Sequence, residues 1–392
     1  MKFISLAEAS QKPEGEKIMD FFGTGKKAAA ALIGLGLASA ALAASTISFF
    51  VTDPKSAKYD LGARVPADAL FFKGYDSTIY TDGIYYQFDS DNGYDFYCHF
   101  VLADVGIMKQ YLVDYKLHQP DGKYKVFGGR FDSDDCSLAA DRYEWRIGPN
   151  SIQGDMSAHR LRIASEPLRV DVTLKTLVPF YQVGDHGMIY VEPDRKKSGQ
   201  LTYFPLFAAE GTIKDGGTVI KISGWGYGNR MTENFLFTDL TSLHTALRWQ
   251  KDGLGFDLHD YQLRPEWGGG LLKILMVYNQ GKLCHVSQSY DKKNLEFIIE
   301  KKTGLSVPTD YRVISKAPGI EAVIEFREVK LSDYNDPLIW LGSVEKYFLS
   351  LVSPPPLDLR FDGRVKITIT TPDGSITEEG PGHGLALLSQ GQ

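Results

Sequence analysis

At 392 residues, with 43% hydrophobic and 23% charged residues, the chain has the composition of a folded protein long enough for two cores. A formal net charge of -6, with Lys and Arg scattered rather than striped, excludes an electrostatic footprint for nucleic-acid backbones. Three cysteines, Cys98, Cys136 and Cys284, form an odd set without CxxC spacing, so neither a zinc site nor a disulfide framework is outlined. A single Cys98–Cys136 bridge and three buried thiols both remain open.

From Ala28 to Val51 the chain carries no charge, is rich in Ala, Leu and Gly, and follows Lys26 and Lys27. With Ala41-Leu42-Ala43 as a small-x-small site, this is the layout of a secretory signal peptide. The run is also long enough for an uncleaved membrane anchor, and an interfacial helix is the third reading. Residues 1–52 are therefore expected to be a leader or anchor, with membrane association through residues 28–51. The rest of the chain is then exported, periplasmic or secreted, or held at a membrane.

Beyond Asp53 strands and turns dominate. Leu168 to Lys175 and Val365 to Thr370 alternate apolar and polar residues without error, as strands with one buried face do. Asp-Gly or Asn-Gly begins at Asp82, Asn92, Asp121, Asp215, Asp252, Asp362 and Asp373, and this dipeptide suits tight hairpins. One short helix is expected around 339–352, before Pro354-Pro355-Pro356. About 340 residues of meander exceed one small β domain, so two are expected. The polar turn Asp194 to Gly199 suggests a seam at Leu201 to Glu210, giving domains 66–208 and 209–392. Closing each sheet removes its edges and leaves a lined interior that can hold an apolar ligand.

Few chemical motifs stand out. Gly224-x-Gly226-x-Gly228 lacks the dinucleotide spacing and a following helix; Phe22 to Lys27 is no P-loop; there is no HExxH and no Gly-x-Ser-x-Gly. No metal and no cofactor is expected. Asp185-His186 and His259-Asp260 are adjacent pairs that a strand would point to opposite faces, which reads as surface residues. Asp132, Asp134 and Asp135 lack the Gly and Glu of a calcium loop and read as a solvated turn, and Trp267 to Gly270 as a wide hairpin.

The stretch Lys221 to Met231, KISGWGYGNRM, is the least ordinary. Alternating glycines weaken a strand unless the backbone must kink or something must approach it closely. One reading is a crossing between two barrels with Trp225 and Tyr227 filling space. Another gives Asn229 and Arg230 a polar head group to hold at a barrel mouth.

Trp145 to Gly148, His159 to Ile163, Gly184 to Gly187, Tyr203-Phe204-Pro205 and Glu210-Gly211 together resemble the lipocalin-like superfamily of AttH proteins, carotenoid 1,2-hydratases and fungal survival factors. Ser242 to Trp249 looks like that family's second-barrel strand ending in tryptophan, and the resemblance runs from about Tyr75 to about Ile324. It implies an all-β chain of two tandem lipocalin-like antiparallel barrels that deals with a hydrophobic small molecule, a lipid or isoprenoid. Hydratase-like members carry Gly-Tyr-x-Asp-His where this chain has Tyr227, Gly228, Asn229 and Arg230. An amide and an always-charged guanidinium cannot deliver and take protons as that pair does. Hydratase or cyclase chemistry would then need Asp185, His186, Glu210 or His244. The candidate ligand contacts are Tyr203, Trp225, Tyr227, Asn229, Arg230 and Trp249. Three classes follow: a protein that binds or handles a hydrophobic ligand, an enzyme on an isoprenoid-like substrate, and a structural or partner-binding periplasmic protein.

Overall fold

The computed structural model describes residues 47–49, 65–335 apart from short gaps (75–76, 78, 106–107, 165, 183–186, 192–196, 236–239, 268, 302–303 and 305), the isolated positions 343 and 346–347, and 356–389. Within them, thirteen strands form one antiparallel sheet and nine another. The helix expected at 339–352 falls outside the described residues except at those isolated positions. No helix among the described residues is long and apolar enough to cross a membrane.

The first sheet opens with a meander of β2 (Ile79–Ser90), β3 (Asp95–Val105), β4 (Met108–His118) and β5 (Tyr124–Phe131). A second meander follows: β6 (Cys136–Leu138), β7 (Tyr143–Ile147), β8 (Asn150–Gly154), β9 (Ala158–Ile163) and β10 (Leu168–Val178). Then β12 (Lys197–Asp215) pairs with β10, and β13 (Thr218–Glu233) returns to pair with β2, which nearly closes a barrel. β1 (Ile47–Phe49), the end of the expected leader, pairs with β11 (Met188–Val191), and β11 with β12. The remainder of that leader lies outside the described residues.

The second sheet repeats the plan. β14 (Thr241–Lys251), β15 (Leu254–Leu263), β16 (Leu271–Asn279) and β17 (Lys282–Ser287) form its opening meander. β18 (Asp291–Asn294), β21 (Tyr311–Ala317), β22 (Ile320–Asn335), β23 (Pro356–Thr371) and β24 (Gly374–Ser389) complete it, with β24 returning to β14. β19 (Phe297–Ile299) and β20 (Ser306–Pro308) pair separately. A 2.8 Å contact between His285 and Ser315 draws β17 and β21 together, so this sheet too curls around a core.

Alternation predicts the buried faces correctly. Leu168, Val170, Val172 and Leu174 are all within 2% of complete burial in the first core. Ile367 and Val365 sit in the second. Five of the seven Asp/Asn-Gly dipeptides make hairpin turns, but Asp82-Gly83 and Asp362-Gly363 lie inside β2 and β23. The seam expected at Leu201 to Glu210 is also displaced: residue 208 lies within β12, and the chain leaves the first sheet only between Glu233 and Thr241. A polar turn marks a hairpin as readily as a boundary, and here it leads into β12. The three cysteines are free, with Cys98 buried in the first core.

The alternating glycines of KISGWGYGNRM are there for packing. On the even face of β13 a Cβ on Gly224 would lie 2.0 Å from the Asp89 carbonyl oxygen. One on Gly228 would lie 2.4 Å from the Tyr85 carbonyl oxygen and crowd the rings of Tyr86 and Phe204 at 2.9 and 3.0 Å. The glycines let β2 press against β13 while those rings fill the barrel. The odd positions, Trp225 and Tyr227, point the other way, toward the second domain.

Candidate active site between the two domains

Outward-facing residues of β2, β3, β4 and β13 meet those of β14, β23 and β24 across a cleft of about 840 Å³. Aromatic walls come from Tyr94, Tyr97, Trp225, Tyr227 and Trp249, and polar groups from Gln87, Asp89, Asp95, Arg248, Arg360 and His383. An apolar contact adjoins it, where Leu201 and Tyr203 pack among Tyr261, Leu263, Ile274 and Met276.

Strand pairing places the polar groups. Across the Asn92-Gly93 hairpin, Asp89 is directly opposite Asp95, and each has a buried carboxyl oxygen that meets no donor from the surrounding side chains, the two carboxyls hydrogen-bonding to each other instead. Gln87 holds the centre: its Oε1 accepts from Tyr85 (2.6 Å) and Tyr227 (2.5 Å), and its Nε2 donates to Asp95 (3.2 Å). Burial and the neighbouring Asp89 charge push the Asp95 carboxyl up to about 8, and burial raises Asp89 as well. Two carboxyls this close cannot both ionise cheaply, so one proton stays with the pair near neutrality. On the facing sheet burial opposes the charge on His383, yet its 2.7 Å contact with Asp362 and the Asp89 and Asp95 carboxyls raise it to about 9.

Two arginines of the second domain lie against tyrosines of the first. Arg360 is paired with Asp358 (2.9 Å), reaches the Tyr85 hydroxyl (3.4 Å) and lies 5.2 Å from the Tyr97 ring centre. Arg248 is paired with Asp257 (2.7 Å) and lies 4.3 Å over Tyr227. Behind Arg248, His259 Nε2 is 2.8 Å from Asp257, and its Nδ1 is 3.0 Å from His244 Nε2. Burial holds both imidazoles below their ordinary pKa, whereas Arg248 overcomes the burial of Asp257 and takes it to about 2. His259 Nε2 also lies 3.2 Å from Arg248 Nη2, so Arg248, Asp257, His259 and His244 form one buried hydrogen-bonded cluster behind the cleft.

Of the expected site, Trp225, Tyr227 and Trp249 line the cleft, whereas Tyr203 and His244 lie in the buried contact beside it. Tyr203 is fully buried with its ring 5.2 Å from His259, and His244 stacks on Tyr261 at 4.3 Å. Trp249 is 2% exposed and belongs mainly to the second core. Asn229 is half-buried on β13. Arg230 is the clear correction: it faces the interior of the first barrel, 3% exposed, paired bidentately with Asp82 (2.7 and 3.0 Å) and donating to the Ala69 and Phe71 carbonyls. One step along a strand reverses the face, so Arg230 cannot share the side of Trp225 and Tyr227. Glu210 is on the outer surface, 3.1 Å from Lys175. Asp185 and His186 lie outside the described residues. His259 and Asp260 do point to opposite faces, but both are buried rather than on the surface, Asp260 being paired with Lys292.

The residues missed in the sequence are Gln87, Asp89, Asp95, Arg248, Asp257, Arg360 and His383. A signal existed for one pair: a tight Asn-Gly turn sets the register that puts Asp89 against Asp95, and like charges directly opposite are unfavourable without a purpose.

No family model matches the chain, and no curated protein matches it in sequence. Solved structures do. A Nitrosomonas europaea protein described as an AttH superposes with a TM-score of 0.58 at 14% identity, over 84% of this chain and 98% of its own. CghA crystallised with Sch210972 gives 0.57 at 10%, over 89% and 100%. Kievitone hydratase of Nectria haematococca gives 0.49 at 9%, over 80% and 89%. The resemblance read from the sequence is thereby shown at the level of the fold: this chain is built like the AttH-type lipocalin-like proteins.

Proposed function

We propose that the protein binds or handles a hydrophobic small molecule, of lipid or isoprenoid class, in the cleft between its two domains rather than inside either barrel. The observation that carries this is the cleft itself: about 840 Å³, walled by Trp225, Tyr227, Tyr97 and Trp249 and holding a few convergent polar groups. Both barrel interiors, by contrast, are filled with side chains. Titration of intrinsic tryptophan fluorescence with farnesol, alongside native mass spectrometry of protein purified from its own host, tests the reading. Trp225→Ala should weaken binding about tenfold or more, because a stacking wall is lost. Unaltered affinity in that variant would refute the cleft as the site.

One observation favours an enzyme in the same cleft. A carboxyl held protonated near neutral pH, as Asp95 is, can protonate a substrate carbon or oxygen, the step a hydratase or cyclase needs. Kievitone hydratase and CghA lend this reading no residue, only a shared architecture. Turnover of an unsaturated substrate that is lost in Asp95→Asn while ligand binding persists would separate enzyme from carrier. We further propose export, supported by the charge-free run at 28–51 behind Lys26 and Lys27. N-terminal sequencing of the mature protein is the test, with cleavage near Ala43 expected and an intact start pointing to an anchor.

A further inference from the structure

We infer that the polar side of the domain interface, where β2 to β4 meet β22 to β24, is a proton-operated latch on the cleft, closed while the Asp89–Asp95 pair holds its shared proton and His383 its charge, and opened when they are lost. It concerns access to the cleft, whatever occupies it. The contacts between the domains divide about β13, whose neighbours are β12 on one side and β2 on the other. On the β12 side they are apolar: Leu201 and Tyr203 cluster with Tyr261 and Met276, and Leu206 with Tyr278. On the β2 side they are ionic. Lys116 pairs with Asp333, His118 lies 3.9 Å from the same carboxylate, Arg360 reaches the Tyr85 hydroxyl at 3.4 Å, and the His383 charge acts on both carboxyls of the pair. The cleft is lined from this ionic side. Apolar contacts carry no proton, so a rise in pH loosens the β2 side first and widens the cleft about the β12 contact.

Burial in the closed interface opposes a second negative charge on the pair, and water admitted by opening removes that opposition. Asp95 is pushed up to about 8 when closed, against an ordinary 3.8, so opening releases a proton over that span and is favoured as pH rises through it. His383 acts in the same sense: against its burial, Asp362 and the pair raise it to about 9, above an ordinary 6.5. Asp114 on β4, raised by burial to about 7, adds to this at the lower end. Among the other charges around the pair, Arg248 and Arg360 are fixed cations paired with Asp257 and Asp358, Lys251 pairs with Glu378, and Lys330 stands exposed. Burial raises the Tyr97 and Tyr227 hydroxyls far beyond neutrality. Burial lowers Lys116 to about 8 and His99 and His118 to about 4, so opening shifts the lysine only above pH 8 and the imidazoles only below pH 6.5. Between those limits the pair and His383 carry the change. One proton released over 1.5 pH units alters a ratio by up to about thirtyfold. The pair stays on one hairpin after opening, and His383 is already 47% exposed, so about tenfold in all is expected.

The test needs no ligand, so its failure leaves the binding reading standing. In the full-length protein, nitroxide labels go on Gln119→Cys and Lys330→Cys, which line the cleft from either domain; Cys136→Ser and Cys284→Ser remove the accessible thiols, and Cys98 stays buried. Double electron–electron resonance then gives the distance distribution at pH 6.5 and pH 8. The ratio of long to short distances should rise about tenfold across that interval at constant far-ultraviolet circular dichroism. In the Asp89→Asn/Asp95→Asn variant the rise should be about threefold or less, and adding His383→Gln should hold the ratio within about twofold. Where the double variant does not fold, His383→Gln alone should cut the rise to about fivefold. A distribution that does not move in the parent, or moves toward closure, overturns the inference, as does an undiminished rise in any folded variant. Circular dichroism lost together with the short distance would assign the change to global unfolding and overturn it equally.

Discussion

Replacing Arg230 by Gln should destabilise the protein without altering its affinity for a cleft ligand. The guanidinium is 3% exposed, Asp82 is fully buried, and two bonds of 2.7 and 3.0 Å join them. A further pair of bonds ties Nη1 to the carbonyls of Ala69 and Phe71, at 3.2 and 2.9 Å, so one side chain fastens the segment before β2 to β13. Removing one partner of a buried pair leaves an uncompensated charge and typically costs about 3–5 kcal/mol. Gln reaches less far and cannot restore the fork, so the loss should fall in that range. Asp82→Asn should cost a similar amount. The double variant should lose clearly less than the two single losses together, because neither charge is then stranded. Urea unfolding followed by circular dichroism gives the free energies, and fluorescence titration of the folded protein gives affinity. A loss under about 0.5 kcal/mol for Arg230→Gln, or weakened binding at unchanged stability, would refute the structural placement and revive a head-group role.

Gly224→Ala should be among the costliest single-methyl changes in the chain, since its Cβ would sit 2.0 Å from the Asp89 carbonyl; hydrogen exchange should show the β2–β13 amides losing protection. Gly217→Ala, with open space around it, should stay within about 0.5 kcal/mol of the parent, and equal losses at the two sites would contradict the packing account. Asp95 keeps its proton in the folded state up to about pH 8, whereas its ordinary value is 3.8. A raised folded pKa contributes stability that is full below about pH 4 and falls as pH rises toward 8. Asp95→Asn should therefore flatten this part of the urea-midpoint profile and gain on the parent as pH rises; a parent that gains on the variant over that window would reverse the sign and the assignment. Trp225→Ala should cost affinity more than stability, because the indole is only half-buried and lines the cleft beside the small cluster of Val178, Leu206 and Tyr278; unfolding of this variant would show that it is chiefly an interface packing residue.

Local pattern determined the β class, the buried faces and most of the turns. The side-chain period of two in Leu168 to Lys175 and the positive-φ preference of Asn-Gly and Asp-Gly act within a few residues, so they are written in the chain itself. The same logic put Trp225 and Tyr227 on one face, and in that sense half of the candidate site was legible. Only the tertiary structure decided what that face meets. Arg230 could be read as a ligand clamp because nothing near it in sequence reveals Asp82, which lies 148 residues away and is reached through the β2–β13 pairing. Asp82-Gly83 itself looked like a turn and became a strand interior, since a buried partner outweighs a local turn preference. His244, His259, Asp89 and Asp95 acquire their shifted pKa values from burial between two sheets, and Asp257 acquires its own from the Arg248 charge set beside it there. Burial belongs to the docked surfaces, and no single strand carries it.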